Sequence, residues 1–286
     1  MEDFLTPGEY FRRRRDSRPL KAFGQHFLSQ PATAAKIVQS AGLAPDEAVV
    51  EIGPGLGALT RFLLQQVERV HLIEVDPAMV EYLRERAPAQ KAEIYRQDVL
   101  SFDFENLSRT LGKRLVVLGN LPYNISSPLL FRLLEAFPAV DRAVFMVQKE
   151  VGVRFAASHG SKDYGVLSVL LGLYSRVEKL FVVGPGQFHP PPKVDSIVLR
   201  IDFLDAPPEG PGFDFLRSLV SAAFQKRRKT LSNSLAGVFG LGPEVFKSAF
   251  EQAGIDSRRR PETLSPSEFL TLARLLRPSV GEACLP

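Results

Sequence analysis

The run Arg114-Leu115-Val116-Val117-Leu118-Gly119-Asn120-Leu121-Pro122-Tyr123-Asn124-Ile125-Ser126 decides how this chain is read. Leu115 to Leu118 is a short apolar block bounded by a charge and a glycine, the pattern of a strand buried on both faces of a parallel sheet. Asn120-Leu121-Pro122-Tyr123 falls where that strand ends, and ligands of open α/β sheets bind outside the carboxyl ends of the strands. A side-chain amide, a proline that fixes the backbone and an aromatic ring at such a point form a receptor for a flat base carrying an exocyclic amine.

On either side of this run, short apolar blocks alternate with helical periods. The blocks at Ala48–Ile52, Val70–Val75, Ala92–Arg96, Ala143–Val147, Val177–Val183 and Ser196–Phe203 predict further strands, and Ala58–Gln66 and Pro77–Arg86 predict helices between them. Such β-α alternation implies an α/β class with parallel strands and right-handed crossovers. The last two strands have no evident helix between them and are expected to form an antiparallel pair at one edge. Ala206-Pro207-Pro208-Glu209-Gly210-Pro211-Gly212 reads as a linker. Beyond it Phe213–Phe224, Lys229–Val238, Pro243–Ala253 and Pro266–Leu276 carry amphipathic helical periods and no strand signal, predicting a small all-helical domain over residues 213–286.

At the other end, residues 1–20 lack periodicity and read as a flexible basic arm that leads into a domain spanning 21–206. Lys21 to Ser29 sets Phe23, Phe27 and Leu28 around Gly24, Gln25 and His26, either as buried packing or as a flap over a ligand. Ser29 is placed to cap a helix beginning at Pro31.

The 286 residues are 45% hydrophobic, enough for one large and one small domain. The single cysteine, Cys284, excludes an internal disulfide framework and a cysteine metal cage. No apolar stretch is long enough to span a bilayer, and Arg12 to Arg15 stand where a signal peptide would need an apolar region. A cytoplasmic protein with no membrane and no metal is expected, with a monomer as the default. The formal charge of +4 permits a nucleic-acid partner without demanding one. The basic residues, however, cluster at Arg12–Arg15 with Arg18 and Lys21, at Lys226-Arg227-Arg228-Lys229 and at Arg258-Arg259-Arg260. Each run alone reads as a solvated face, and the three together favour a polyanion.

Chemistry is carried by four strand ends. Glu51-Ile52-Gly53-Pro54-Gly55-Leu56-Gly57-Ala58 follows a strand and opens a helix, so its glycines allow a tight turn and close approach of a ligand to the backbone. Glu74, at the end of the next strand, is placed to accept from both hydroxyls of a ribose. Asp98 ends the third strand, where it reads equally as a turn cap or as an acceptor at an adenine edge. With Asn120 to Tyr123 after the fourth strand, these groups line one rim of one sheet.

Four motifs then resemble one family: Phe23-Gly24-Gln25-His26-Phe27-Leu28, Glu51 to Gly57, Asn120 to Ser126, and Phe188-His189-Pro190-Pro191-Pro192-Lys193-Val194-Asp195-Ser196. A fifth, Phe224-Gln225-Lys226-Arg227-Arg228-Lys229-Thr230-Leu231, lies in the helical segment. The chain resembles the S-adenosylmethionine-dependent ribosomal RNA adenine N6,N6-dimethyltransferases of the KsgA (RsmA) type, from about residue 20 to near its end. The resemblance implies a Rossmann-like methyltransferase domain with a helical RNA-binding domain. It implies S-adenosylmethionine contacts from His26, Leu28, Gly53, Gly55, Glu74, Asp98, Val99 and Asn120, with S-adenosylhomocysteine as product. Position 26 is often Asn in this family. It further implies a catalytic group of Asn120, Leu121, Pro122, Tyr123 and Phe188, and phosphate contacts from Lys193, Lys226, Arg227, Arg228 and Lys229. The implied substrate is a pair of adjacent adenosines in the 3′ hairpin loop of 16S ribosomal RNA within a small-subunit assembly intermediate.

Other readings share parts of this pattern. A large-subunit 23S enzyme of the macrolide-resistance type has the same fold, but Leu121, the Pro191-Pro192 pair and the Lys226–Lys229 run favour the small-subunit enzyme. A DNA adenine methyltransferase would carry two prolines where Leu121 and Pro122 stand. An NAD-dependent dehydrogenase would explain the glycine turn and Glu74 and leave Asn120 to Tyr123 unexplained. A mainly non-catalytic assembly factor would need the same RNA surface.

Overall fold

The computed structural model describes residues 4–13, 26–226 and 228–280. The elements run, in chain order, α1 (Pro7–Arg13), β1 (Phe27–Leu28), α2 (Pro31–Ser40), β2 (Ala48–Ile52), α3 (Thr60–Gln66), β3 (Val70–Glu74) and α4 (Pro77–Arg86). Next come β4 (Ala92–Arg96), α5 (Phe104–Leu111), β5 (Leu115–Asn120), α6 (Ser126–Glu135), β6 (Val140–Gln148) and α7 (Lys149–Phe155). The remainder is α8 (Val166–Tyr174), β7 (Ser175–Val183), β8 (Phe188–His189), β9 (Ser196–Phe203), α9 (Phe213–Phe224), α10 (Leu231–Leu235), α11 (Pro243–Ala253) and α12 (Pro266–Leu276).

The chain divides into two compact units, one of Met1–Gly152 with Val177–Asp205 and one of Val153–Arg176 with Ala206–Pro286. The first holds a seven-stranded sheet of order β4-β3-β2-β5-β6-β9-β7. Strands β2 to β6 are parallel, and β9 runs antiparallel to β6. β7 lies beside β9 at the edge, where the sequence reading put it. Chain order reverses between β2 and β5, and a crevice opens at such a switch point. A β-carbon on Gly119 would come within 2.9 Å of the Ile52 carbonyl, so only glycine lets these two strands meet there. Arg142 on β6 is buried, and its guanidinium donates to the carbonyls of Ala41 and Gly42 and to the carboxylates of Glu47 and Asp141 at 2.7–3.0 Å. It ties the turn before β2 to the far side of the sheet.

Two local expectations are corrected here. Residues 4–13 do not form a flexible arm: α1 buries Tyr10, whose ring meets Tyr82 edge-on at 5.3 Å, and the Leu5 amide donates to the Tyr82 hydroxyl at 2.8 Å. Residues 1–3 and 14–25, which include Arg14, Arg15, Arg18, Lys21, Phe23, Gly24 and Gln25, lie outside the described residues, as does Cys284. Ser29 does not cap α2. Its amide and its hydroxyl both donate to the Gln187 carbonyl, Gln30 takes the N-cap position, and Pro31 begins the helix.

The second unit is helical, but it is not confined to the residues after the linker. The stretch 153–176, read from sequence as part of the first domain, belongs to it because α8 is apolar on most sides and packs on α9 and α12. Tyr174 meets Phe213 edge-on at 5.6 Å, and a β-carbon on Gly172 would lie 2.9 Å from the Pro266 ring. The helix expected over 229–238 is only α10, since Gly237 and Phe239 both take left-handed backbone angles. α12 starts with a reciprocal cap between Ser265 and Glu268.

Candidate functional site: a cofactor and base cleft at the switch point

At the carboxyl ends of β2, β3, β4 and β5 the first unit holds a cleft of about 340 Å³, within the size range of small-molecule sites. Its wall includes His26, Leu28, Gly53, Gly55, Glu74, Asp98, Val99, Asn120, Leu121, Pro122, Tyr123 and Phe188. Every cofactor and catalytic residue expected from the sequence therefore faces one space, although they come from six separate chain segments.

The glycine turn is built for close approach. Gly53 has φ +60°, and a β-carbon there would meet nothing of the chain within 4 Å, so the backbone is bare toward the cleft. Gly55, at φ +53°, has the Phe27 ring 3.0 Å from where a β-carbon would sit. Glu74 braces the turn: its carboxylate accepts from the Gly55 amide at 3.1 Å through one oxygen and from the Asp76 amide at 2.9 Å through the other. Burial pushes this carboxyl above its ordinary range, while the two amides pull it back. Each oxygen keeps a second lone pair, which suits the vicinal hydroxyls of a ribose.

Asp98 caps a turn and also borders the cleft. One oxygen accepts from the Leu100 amide at 2.9 Å and caps the turn Val99–Ser101, while the exposed carboxylate still borders the cleft. The residues present thus fit a nucleoside-bearing cofactor: a bare backbone turn, a carboxylate at the end of β3 and another after β4, all bordering one cleft.

Glu51 is a wall residue whose own role the sequence reading missed. It is fully buried at the end of β2, accepts from the Thr60 hydroxyl at 2.6 Å, and is pushed up to about 8 by burial, with the nearby Glu74 charge adding to the rise. A glutamate inside an apolar β2 was the available signal.

On the other side of the cleft, the Asn120 amide nitrogen donates to the His26 carbonyl at 3.0 Å. That bond fixes which end of the amide is which and leaves the side-chain oxygen as an acceptor. The Leu121 amide donates to the Met146 carbonyl at 3.0 Å, anchoring the turn to β6. The Pro122 carbonyl accepts from the Ile125 amide at 3.2 Å and closes the turn. Tyr123 is half-buried with its ring 5.6 Å from the His26 ring, and burial raises its hydroxyl, the Ser196 side chain acting in the opposite sense.

Phe188 reaches the cleft through a two-stranded ribbon in which β1 pairs antiparallel with β8, Leu28 opposite Phe188 and Phe27 opposite His189. The His26 ring Nδ1 donates to the Pro190 carbonyl at 2.8 Å and extends this ribbon. Phe27 and Leu28 are buried, as the packing reading expects, and they also line the cleft.

None of Lys193, Lys226, Arg228 and Lys229 is among the residues lining the cleft. Lys193 is exposed on the loop before β9, and Lys226, Arg228 and Lys229 are exposed after α9; Arg227 lies outside the described residues. The Arg258–Arg260 run is less available than its charge suggests, because Arg258 pairs with Asp256 at 3.0 Å and Arg259 with Glu268. Among the described residues no cluster of metal-binding type occurs, and no helix is long and apolar enough to cross a membrane.

Comparison with known proteins agrees with this geometry. The sequence pattern described as ribosomal RNA adenine dimethylase matches residues 17–277. A ribosomal RNA small subunit methyltransferase A from Syntrophotalea carbinolica is 44% identical over 262 residues, covering 91% of this chain and 98% of that protein. Its counterpart in Alcanivorax borkumensis is 40% identical over 265 residues, 92% of either chain. Among solved structures, a dimethyladenosine transferase from Plasmodium falciparum is similar with a TM-score of 0.71 and 28% identity, covering 86% of this chain and 96% of that one. The 23S rRNA methyltransferase ErmE is similar with a TM-score of 0.65 and 28% identity, covering 87% and 99%. With a Rossmann-like sheet, a cleft at its switch point lined by Asn120 to Tyr123, and these matches over most of its length, the chain belongs to the ribosomal RNA adenine dimethylase family.

Proposed function

We propose that this chain transfers methyl groups from S-adenosylmethionine to N6 of two adjacent adenosines in the 3′-terminal hairpin loop of 16S ribosomal RNA, dimethylating both during small-subunit assembly. The observation that carries the reading is the orientation of Asn120: its nitrogen is committed to the His26 carbonyl, and its oxygen remains on the rim of the cleft that Glu74 and Asp98 border.

The sulfonium of S-adenosylmethionine supplies an already activated methyl group. The protein's task is to bring an adenine N6 into line with it. That nitrogen is a poor nucleophile because its lone pair is delocalised into the ring. The Asn120 oxygen and the Leu121 carbonyl accept from its hydrogens, draw it toward tetrahedral geometry and localise the pair. Pro122 holds the turn in place. Tyr123 stacks on one face of the base and Phe188 on the other, each contact worth roughly 1–3 kcal/mol, which offsets the cost of drawing a base out of its loop. A monomethylated amine has one hydrogen left and is still held by one of the two acceptors, which suits a second transfer. Glu74 holds the cofactor ribose and Asp98 the adenine edge, with His26, Leu28, Gly53, Gly55 and Val99 around them.

Lys193, Lys226, Arg227, Arg228 and Lys229 hold RNA phosphates, making binding dependent on salt. RNA of this kind is recognised by shape and an exposed loop. The likeness to small-subunit enzymes at 40–44% identity supports this target over the large subunit.

The test is transfer of radiolabelled methyl to small subunits from a strain lacking the modification, beside unmodified large subunits and duplex DNA, with mass analysis of the labelled nucleoside. Dimethyladenosine confined to the small-subunit 3′ hairpin is expected. Label only in large subunits would move the assignment to the 23S type, and no label despite cofactor binding would favour an assembly factor.

A further inference from the structure

The family pattern begins at residue 17, so helix α1 lies outside it. Yet α1 and the residues before it touch the glycine turn, helix α4 and the β1–β8 ribbon. Gly57, at φ +74°, does not line the cleft, and a β-carbon there would collide with the Phe4 ring, so Phe4 rests on the outer face of the glycine turn. Leu5 and Tyr10 grip Tyr82 on α4, the helix that follows Glu74 and Asp76. Phe11 packs on the ribbon, its ring 5.7 Å from Phe27 and 5.8 Å from His189. Phe27 in turn presses on Gly55 from within the cleft.

The glycine turn is therefore held between two aromatic rings, Phe4 outside and Phe27 inside, and Phe11 fixes the second of them. Three glycines at alternate positions (Gly53, Gly55 and Gly57) would otherwise leave this turn with more conformations open to it. Ordering a loop before its ligand arrives removes a cost that binding would have to meet. The ribbon also carries Phe188 on its second strand, so the same support reaches the base side.

We propose that residues 4–13, with Phe4 and Phe11 as positioning residues, form a clamp that preorganises the Gly53–Gly57 turn and the β1–β8 ribbon for the nucleoside cofactor. The proposal rests on the cofactor reading above.

The test is calorimetric titration of S-adenosylhomocysteine into the full chain, the Phe11→Ala and Phe4→Ala variants, and a chain beginning at residue 14, with amide hydrogen exchange read at 26–28 and 53–57. Deleting the clamp is expected to weaken binding roughly tenfold, and each point variant several-fold. Exchange at the turn and ribbon should rise in step, and KM for the cofactor should rise more than kcat falls. Arg12→Ala, on the exposed face of α1 and bonded to the Gly8 carbonyl, should bind as the full chain does. A folded truncated chain with the full chain's affinity and exchange rates would overturn the clamp. If the truncated chain does not fold, the point variants decide by the same two readouts. Failure of the full chain itself to bind S-adenosylhomocysteine would instead overturn the cofactor reading, and the exchange rates at 53–57 would still decide whether α1 orders the turn.

Discussion

Replacing Asn120 by alanine removes two interactions of different consequence. The first is the 3.0 Å bond from its nitrogen to the His26 carbonyl, which holds the start of the ribbon. A neutral hydrogen bond of this kind contributes about 1 kcal/mol net, so its loss should weaken cofactor binding by about fivefold. The second is the acceptor at the reacting amine, which becomes stronger as charge develops on N6. Losing a preorganised polar partner of a developing charge costs about 10²–10³ in kcat. Asn120→Ala should thus lose far more turnover than cofactor affinity. Asn120→Asp keeps an acceptor but sets a carboxylate oxygen against the His26 carbonyl, so its cofactor affinity should fall as in the alanine variant while its turnover exceeds it. Single-turnover methyl transfer to unmodified small subunits, beside titration with S-adenosylhomocysteine, separates the two. A kcat within threefold of the parent, with affinity lowered tenfold or more, would refute the catalytic role and leave Asn120 as a brace for the ribbon.

Other perturbations have equally definite outcomes. Arg142→Leu leaves Glu47 and the Ala41 and Gly42 carbonyls without their donor at a partly buried site, and urea unfolding should show a loss of about 2–3 kcal/mol. The Arg142 guanidinium also holds the Glu47 carboxyl below its usual range. The stability from this pair is full above the unfolded-state value near 4.5 and fades as pH falls through the folded-state value, and Glu47→Gln should flatten that acid-side decline in thermal melts. Glu51 works in the opposite sense: raised from 4.5 to about 8, it keeps a proton that the unfolded chain releases, so stability falls as pH rises between those limits. Glu51→Gln should remove that slope, measured as the change in Tm between pH 5 and pH 8. Ser265→Ala breaks the reciprocal cap of α12 and should cost about 1 kcal/mol. Lys226→Ala with Lys229→Ala should lower the salt slope of RNA binding by about two, without changing which RNA is preferred.

What the sequence made legible was set by the length and burial of each segment. β2, β4 and β9 begin and end where their apolar blocks do, and α9, α11 and α12 match their predicted spans, because each is long enough to show a period and is bounded by a charge, proline or glycine. α1 was invisible because its seven residues bury only Pro7 and Tyr10, and Tyr10 owes its burial to Tyr82, far along the chain. A ribbon of two residues per strand has no period to read, so Phe188 could be assigned to the site without any sign of what carries it there. Ser29 shows the limit of cap signals: a serine before a proline is a good cap, but the Gln187 carbonyl offered a partner that local sequence does not contain. The apolar run of α8 reads as buried without showing which core buries it.

That run gives the chain an interleaved order with consequences for synthesis. A ribosome delivers Met1–Gly152 first, then a piece of the other unit, then the strands β7 and β9 that complete the sheet, and only afterwards the helices that cover α8. Until α9 and α12 emerge, Val169, Leu170 and Leu171, all buried in the finished fold, lack the two helices that pack on α8. Cleavage at the proline-rich linker after Asp205 would likewise separate no intact part from another, since the N-terminal fragment would carry α8 uncovered and the C-terminal one would lack it. The nascent chain must therefore carry part of α8 uncovered until the helices after the linker have been made.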